Sequence, residues 1–204
     1  MEQGRQQSNG DHKLPLLPQR NVTPKVRVTL TYWVSRKDGS EGPRVTVESE
    51  SLLRNFLRMV GGVISSGLMA SSFAVLDTSG ASRTATTSSG NQGNTTLNKP
   101  TLHCGSGITA VDLLDYALVT ELDTVVATGV QEATDGTTYS ITWTGGILND
   151  SGDAWSVKEV GMSVNINYAT VAYDVLMLRD VLAATVSVPD GDTFNLQYSL
   201  ETTA

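Results

Sequence analysis

The sequence predicts a mainly β protein: an antiparallel β-sandwich or barrel-like domain with two short helices and an extended N-terminal arm. The 204 residues include 20 Ser, 25 Thr and 19 Gly but only 17% charged residues, a composition that favours strands and turns over long helices. Short alternating segments recur at intervals of about 8–12 residues, as in sandwiches and barrels. Three Asp-Gly dipeptides supply turn signals between them. The length indicates one domain, residues 25–204, preceded by an arm, residues 1–24.

The arm is predicted from its prolines. Three prolines within residues 1–24 exclude a helix and favour extended or polyproline-like backbone. Leu14, Leu16 and Leu17 are the only apolar cluster there. Two interpretations stay open: the leucines dock on a neighbouring subunit, or they are incidental in a short leader.

The first elements are predicted from the spacing of apolar side chains, which changes from that of a strand to that of a helix. Residues 25–34 alternate apolar and polar side chains, which predicts a half-buried strand. Asp38-Gly39 predicts a turn and residues 43–48 a returning strand. Residues 48–60 then place apolar side chains at helical spacing, which predicts a helix ended by two glycines.

The middle of the chain is predicted to hold a loop and a second helix. Residues 78–100 are mostly Ser, Thr, Gly and Asn, too polar to pack, and therefore read as a long surface loop. Thr109 and Asp112 have the spacing of a capping box, and the apolar residues behind them predict a helix through about residue 122.

The C-terminal part is predicted to be strands, bringing the total to eight or nine. Residues 124–130 and 137–144 face each other across Asp135-Gly136. Asp190-Gly191 is predicted to turn the last strand pair, residues 184–188 and 193–200.

Charge and hydropathy exclude several classes of protein. The net charge is −7; residues 1–60 carry ten Lys/Arg against six Asp/Glu, and residues 61–204 carry four against fifteen. An acidic body repels phosphate, so we expect no nucleic-acid partner. No stretch approaches the ~18 apolar residues of a membrane span, and the polar N-terminus does not resemble a signal peptide. The opposite charges of the two parts either steer copies together or simply solvate the surface.

One cluster has the residue types of a catalytic site. His103 and the only cysteine, Cys104, precede Gly105-Ser-Gly107. Neighbours on a strand point to opposite faces, so His103 cannot activate the thiol, and we expect Cys104 to be a small buried apolar residue. The two glycines are not followed by the Gly-Lys-Ser/Thr of a phosphate-binding loop. We expect them only to give the backbone the conformational freedom that a turn needs. We therefore predict no catalytic residue, no cofactor and no small-molecule substrate.

Two groups of mostly acidic residues have the ligand types that a hard cation such as Ca²⁺ prefers. Their members are Asp112, Asp115, Glu121 and Asp123 in one group, and Asp150, Ser151 and Asp153 in the other. The second does not complete an EF-hand, because the distal Glu is missing. Solvated turns are the favoured interpretation, and no metal is predicted.

Large apolar side chains indicate where partners would bind. Trp33, Trp143 and Trp155 either form a carbohydrate platform or are core and interface anchors, and the latter is favoured in a strand-rich domain. With Phe56 from the first helix and the arm leucines, Trp143 and Trp155 are the candidate assembly-interface residues.

The order of several short motifs resembles a known class of protein. Residues 141–152 (ITWTGGILNDSG) are followed by residues 157–161 (VKEVG), 177–180 (MLRD) and 186–191 (VSVPDG), ahead of a final alternating strand. Upstream, residues 51–57 (SLLRNFL) match an early helix. Across roughly residues 48–200 this order resembles virion structural proteins of tailed bacteriophages.

The resemblance implies a non-enzymatic building block of the virion, assembled in the host cytoplasm in many copies. Its partners would be copies of itself and other virion structural proteins, at the neck, collar or tail-attachment region. A capsid decoration or accessory protein is the nearest alternative, and a receptor- or glycan-binding module is the alternative from another class. The long Ser/Thr/Gly loop departs from the resemblance.

Overall fold

A computed structural model describes residues 25–49, 51–65, 71–87, 100–168 and 171–203. The predicted arm, with Leu14, Leu16 and Leu17, lies outside these residues. The elements are β1 (Lys25–Ser35), β2 (Val45–Ser49), α1 (Arg54–Ser65), β3 (Ser71–Leu76), β4 (Ser82–Thr87), β5 (Thr101–Gly105), β6 (Glu121–Val126), β7 (Gly129–Thr134), β8 (Thr138–Leu148), β9 (Trp155–Tyr168), β10 (Val171–Val188) and β11 (Thr193–Thr203).

Every strand pairing among the described residues is antiparallel. A five-stranded sheet has the order β2-β1-β11-β8-β7, and a four-stranded sheet has the order β10-β9-β5-β6. Strands β3 and β4 form a separate hairpin. The prediction of a mainly β protein with antiparallel sheets is confirmed.

The two larger sheets contribute to one hydrophobic core. Alternation along β1 buries Val28, Leu30 and Tyr32, and β11 aligns Tyr198 with Leu30 across the ladder. The four-stranded sheet adds side chains from β5, β9 and β10 to the same cluster, among them the buried Leu102, Cys104, Val160, Met162 and Leu178. Apolar area removed from water by both sheets is the main stabilising term.

The opposite face of the four-stranded sheet is also covered. Leu53, Leu118 and Leu176 form a separate buried cluster, which packs two connecting segments against β10. Leu52 forms an isolated bridge with Leu178, and the amide of Leu53 donates to the carbonyl of Met177 at 3.2 Å. Segment 51–53 therefore lies along the middle of β10.

The helix predictions are only partly right. The first helix exists but runs from Arg54 to Ser65, so it begins later than predicted and continues through Gly61-Gly62. With 12 residues it is too short to cross a membrane, and no helix in the described ranges is long and apolar enough to do so.

The second predicted helix, residues 109–122, is wrong. These residues form an irregular loop, and β6 begins at Glu121. The Asp112 side chain accepts from the amide of Leu114 at 2.8 Å, and the amide of Asp115 donates to the Asp112 carbonyl at 3.0 Å, which closes a turn. Local side-chain hydrogen bonds of this kind compete with a helix.

One hairpin prediction is confirmed, one has the right turn but a misplaced first strand, and one is wrong. The predicted strand 124–130 is not a single strand, because β6 ends at Val126 in the four-stranded sheet and β7 begins at Gly129 in the five-stranded one. Strand β2 pairs with β1, and β7 pairs with β8, each beyond an Asp-Gly turn whose glycine has positive φ. Asp190-Gly191 also turns, with Gly191 at φ 82°, but it joins β10 of one sheet to β11 of the other. Its neighbours are therefore not a strand pair, because β11 lies between β1 and β8.

Part of the predicted loop 78–100 is a strand. Strand β4 pairs with β3 over six residues, although the sequence there is almost entirely polar. Asp77 closes the connecting turn, accepting from the Ser79 hydroxyl at 2.5 Å and from Arg83 Nε at 2.6 Å. Residues 88–99 lie outside the described part of the chain.

We expect Phe194→Ala to destabilise the protein by about 3–5 kcal/mol, because a large core side chain is removed and a cavity remains. Phe194 has no exposed surface and packs beside Tyr32, with ring centroids 6.2 Å apart. Chemical denaturation followed by tryptophan fluorescence measures the change. Val130→Ala, at a half-exposed position of β7, is the control and is expected to change stability by less than about 0.5 kcal/mol. Equal losses for the two variants would contradict the shared core.

Candidate functional site

A carboxylate lies fully buried in the middle of β9. Glu159 has no exposed surface. Its side chain accepts hydrogen bonds from the backbone amides of Gly107 at 3.0 Å, Val119 at 3.2 Å and Thr120 at 2.8 Å. It therefore holds both ends of the connection between β5 and β6.

The counter-charge comes from the neighbouring strand. Arg179 on β10, also without exposed surface, lies 2.9–3.0 Å from Glu159 through Nε and Nη2. Its Nη1 donates to Asp115 at 2.7 Å and its Nη2 to the Thr109 carbonyl at 2.9 Å. Its own amide donates to the hydroxyl of Ser51 at 3.2 Å. We call Glu159, Arg179 and Asp115 the buried clamp, since together they fasten residues 106–120 onto the sheet.

The clamp explains the glycines of the 105–107 motif. A Cβ placed on Gly105 would lie 2.8 Å from Glu159 Cγ and 2.5 Å from the Thr120 carbonyl oxygen, closer than atoms can approach. One on Gly107 would collide with the Glu159 carboxylate. The two glycines thus allow the backbone to approach a buried side chain. The sequence predicted only that they would give flexibility to a turn.

His103 and Glu121, which the sequence singled out separately, form a hydrogen-bonded relay with Ser163, which it did not. His103 Nε2 lies 2.7 Å from Ser163 Oγ, and His103 Nδ1 lies 2.7 Å from Glu121 Oε2. Hydrogen bonding to His103 lowers the pKa of Glu121, against the opposing effect of its partial burial. A cavity of about 350 Å³ adjoins the relay, lined by His103, Glu121 and Asp174 among others.

Ser163, His103 and Glu121 are connected in the same order as the residues of a serine-hydrolase triad, but the serine is not accessible to a substrate. In such a triad the serine oxygen attacks the substrate carbonyl, so it must reach the cavity. Ser163 has no exposed surface and lies within β9. The relay instead ties β9, β5 and β6 together across the sheet. The alternation that puts His103 and Ser163 on one face is visible in the sequence, but which strands adjoin is not.

Cys104 lies on the opposite face from His103, as predicted. It is fully buried in the main core, and burial raises the pKa of its thiol to about 12. A thiolate is the reactive form of cysteine, so this thiol is inert at neutral pH.

Three of the acidic residues that the sequence offers as cation ligands have partners within the protein. Asp115 is paired with Arg179, Glu121 with His103, and Asp112 closes its own turn. In the loop after β8, buried Asn149 donates to the carbonyls of Asp153 and Val188, both at 2.8 Å, which gives the loop a structural role. Within the described ranges, no three His, Cys, Asp or Glu residues are grouped to hold a metal ion.

The candidate interface residues in the described part contact the protein's own core. Phe56 and Trp143 are partly buried and pack against the main cluster. Trp155 is 8% exposed and belongs to the cluster itself, which leaves little of it for a partner. Trp33 is 7% exposed and lies under the guanidinium of Arg44, 4.1 Å from the ring centroid.

Two cavities lie between the edge strands of the two sheets. Their volumes are about 510 and 710 Å³, and Tyr32 lines both. The nearer cavity, toward the start of β1, is lined by Leu30, Val47, Glu48, Ser51, Leu52, Leu53, Val111, Leu113 and residues 180–183. The farther one is lined by Trp33, Val34, Arg36, Gly42, Pro43, Val45, residues 184–187, Pro189 and Asp192. We call this feature the edge groove.

Both strands that border the edge groove are sheet edges. Among the strands that the structure describes, β2 pairs only with β1 and β10 only with β9, and β10 has one further bridge, from Leu178 to Leu52. Between Val181 and Val186, β10 places four residues opposite the single Lys158 of β9. This bulge forms one wall of the groove.

The chain was compared with protein-family models, curated proteins and solved structures, and no match was found in any of the three comparisons.

We expect Arg179→Met to cost about 3–5 kcal/mol of stability, because it leaves the Glu159 carboxylate buried without its counter-charge. The matched control is Arg27→Met, which breaks the half-exposed Arg27–Glu201 pair and should cost about 0–1 kcal/mol. Chemical denaturation at pH 7 measures both. Comparable small losses would show that the buried clamp does not hold the fold.

We expect Ser163 to remain unlabelled by a fluorophosphonate probe on the folded protein, because its hydroxyl has no path to solvent. Intact-mass spectrometry measures the labelling, with an active serine hydrolase as positive control and Ser163→Ala as the matched variant. Stoichiometric labelling that disappears in Ser163→Ala would instead make the relay a catalytic triad.

Proposed function

We propose that this protein is a non-enzymatic structural component of a tailed-phage virion. It assembles in many copies at the neck, collar or tail-attachment region, through its N-terminal arm and its strand edges. The proposed subunit is an antiparallel β-sandwich with an extended arm. The motif order across residues 48–200 supports the phage assignment, and the arrangement of the sheets supports assembly.

The observation that carries the assembly proposal is the edge groove. Exposed strand edges are templates for pairing with another chain, and proteins that remain monomeric protect them. Here the bordering strand β2 exposes Val45 and Val47 at 38% and 40%, and the loop across the groove exposes Leu113 at 55%. Apolar side chains beside unpaired edges are typical of surfaces that another chain covers.

Charge supports association between copies. Residues 1–24 carry three Lys/Arg and two Asp/Glu, a net +1, so residues 25–204 carry 11 and 19, a net −8. An acidic body steers the basic part of another copy towards it. Many weak contacts of this kind, repeated around a ring, give a stable assembly.

A capsid decoration protein would use the same features with a different symmetry. It would bind a shell that other proteins build, and would not need to associate with itself. A glycan-binding module would depend on tryptophans, and Trp143, at a partly buried position of β8, is the candidate for that role.

The test is the solution mass of the full chain by light scattering across concentration. We expect a discrete oligomer, and we expect the variant Leu14→Ser/Leu16→Ser/Leu17→Ser to be monomeric, because the arm's apolar side chains are removed. The matched control is Gln3→Ser/Gln6→Ser/Gln7→Ser, which changes three polar residues of the same arm and should leave the oligomer intact.

A full chain that stays monomeric at every concentration would contradict self-assembly through the arm. Binding to an assembled capsid would then indicate a decoration protein, and saturable sugar binding lost in Trp143→Ala would indicate a glycan-binding module.

A further inference from the structure

We propose that β7 pairs edge to edge with β7 of a second copy of this chain, antiparallel and about a two-fold axis. This inference rests on the proposed function, in which strand edges hold copies together, and it names the edge. The contact joins two five-stranded sheets into one continuous sheet. Four features of the molecule support it: the state of the other sheet edges, the room around β7, symmetry and charge.

Three of the four edges of the two larger sheets carry a protection against pairing with another chain. Strand β10 has its bulge and is bridged by Leu52. Strand β6 has a register shift in its pairing with β5 and carries Glu121 and Asp123. Strand β2 faces β10 across the edge groove and is tied to it where Ser49 donates to Asp180 at 3.0 Å. Bulges, charged side chains and cover are the means by which proteins keep sheet edges from pairing.

Strand β7 has none of these protections in the part of the chain that the structure describes. It pairs with β8 in continuous register, and no described strand lies on its other side. It contains no proline and a single charged side chain, that of Glu132. The backbone donors and acceptors on its free side are therefore open to another strand.

There is room for a strand beside β7. All of its residues except Gly129 are exposed, although alternate side chains of a strand point to opposite faces. Val130 continues the inner-face row of Leu30, Tyr198 and Trp143 across the ladder. Tyr198 has no exposed surface, whereas Val130 is 52% exposed. The described part of the four-stranded sheet therefore does not extend over β7, and both faces of the strand are open.

A two-fold axis limits the registers in which two β7 strands can pair. Paired side chains share a face of the sheet, and an axis perpendicular to the sheet keeps each side chain on its face. One residue must therefore lie opposite its own copy. An axis at Gln131 pairs residues 129–133, and an axis at Glu132 pairs residues 130–134, whereas an axis at any other residue pairs less of the strand.

Charge decides between these two registers. An axis at Glu132 places two carboxylates directly opposite each other, which is destabilising. With the axis at Gln131, the two Gln131 side chains face each other, and an amide both donates and accepts hydrogen bonds. Val130 then lies opposite Glu132 of the second copy, and the two Glu132 side chains are diagonal neighbours about 7–8 Å apart. Repulsion at that distance is weak in water.

The contact is weak on its own and closes on itself. It buries much less than the ~1,200 Å² with which specific, stable interfaces begin. It therefore persists only together with other contacts in the assembly, and removal of the arm's leucines is still expected to give monomers. Because one pair uses both β7 edges, no third chain can add there.

The test is disulfide cross-linking of the full-length variant Gln131→Cys. Cys104 is fully buried with a raised pKa, so the introduced thiol is the reactive one. The matched control is Ala133→Cys, exposed on the same face of the same strand, whose two copies would lie about 14 Å apart along the strands. A disulfide requires Cα atoms within about 7 Å, so we expect at least tenfold more covalent dimer with Gln131→Cys than with the control.

A second cross-link checks the register. Val130→Cys and Glu132→Cys are mixed, one of them carrying a mass tag. Their positions are opposite each other across the axis, whereas each is about 8 Å from its own copy. We expect more mixed dimer from the mixture than covalent dimer from either variant alone.

Three results would overturn the inference. If light scattering shows oligomers of the wild-type chain but Gln131→Cys cross-links no better than Ala133→Cys, copies associate through other surfaces and the proposed function stands. If Ala133→Cys cross-links better than Gln131→Cys, the edges pair in another register and the symmetry argument is wrong. If the wild-type chain stays monomeric and no variant cross-links, the proposed function fails together with the inference.

Discussion

The outer side of the four-stranded sheet depends on one buried ion pair, Glu159 with Arg179. Neither side chain has exposed surface, so each depends on the other for compensation of its charge. The remaining hydrogen-bonding capacity is used on the loop, through three amides, one carbonyl and Asp115. An irregular loop has no regular series of backbone hydrogen bonds of its own. Glu159 and Arg179 take the place of such a series, because they form hydrogen bonds with the backbone groups of the loop.

The same clamp shapes the edge groove. The hydroxyl of Ser51 accepts from the amide of Arg179, and the amide of Arg54 donates to the carbonyl of Leu113 at 3.0 Å. The clamped loop and segment 51–53 are thus joined to each other, and together they supply one wall of the nearer cavity. A polar interaction inside the domain therefore fixes the position of an apolar surface at its edge.

Local patterns predicted most of the strands and the turns at Asp38-Gly39 and Asp135-Gly136, because alternation and Asp-Gly turns are encoded within a few residues. They failed where long-range contacts decide. The capping-box spacing at Thr109 and Asp112 indicated a helix, but Arg179, some 70 residues away, binds the Thr109 carbonyl and the Asp115 carboxylate. The relay through Ser163 and the groove between β2 and β10 also depend on which strands adjoin, and a single sequence does not contain that information.

The edges of the two sheets differ in how they are protected, and this difference bears on assembly. Along β10, residues 174–179 are covered by Thr78, segment 51–53 and the bridge to Leu52. At the next residue, the Asp180 carboxylate accepts from the Ser49 hydroxyl at 3.0 Å. Beyond Val181 there is a bulge, which discourages flat strand-to-strand pairing. A bulged edge of this kind, facing the exposed valines of β2, is a poor template for the flat strand pairing that leads to aggregation.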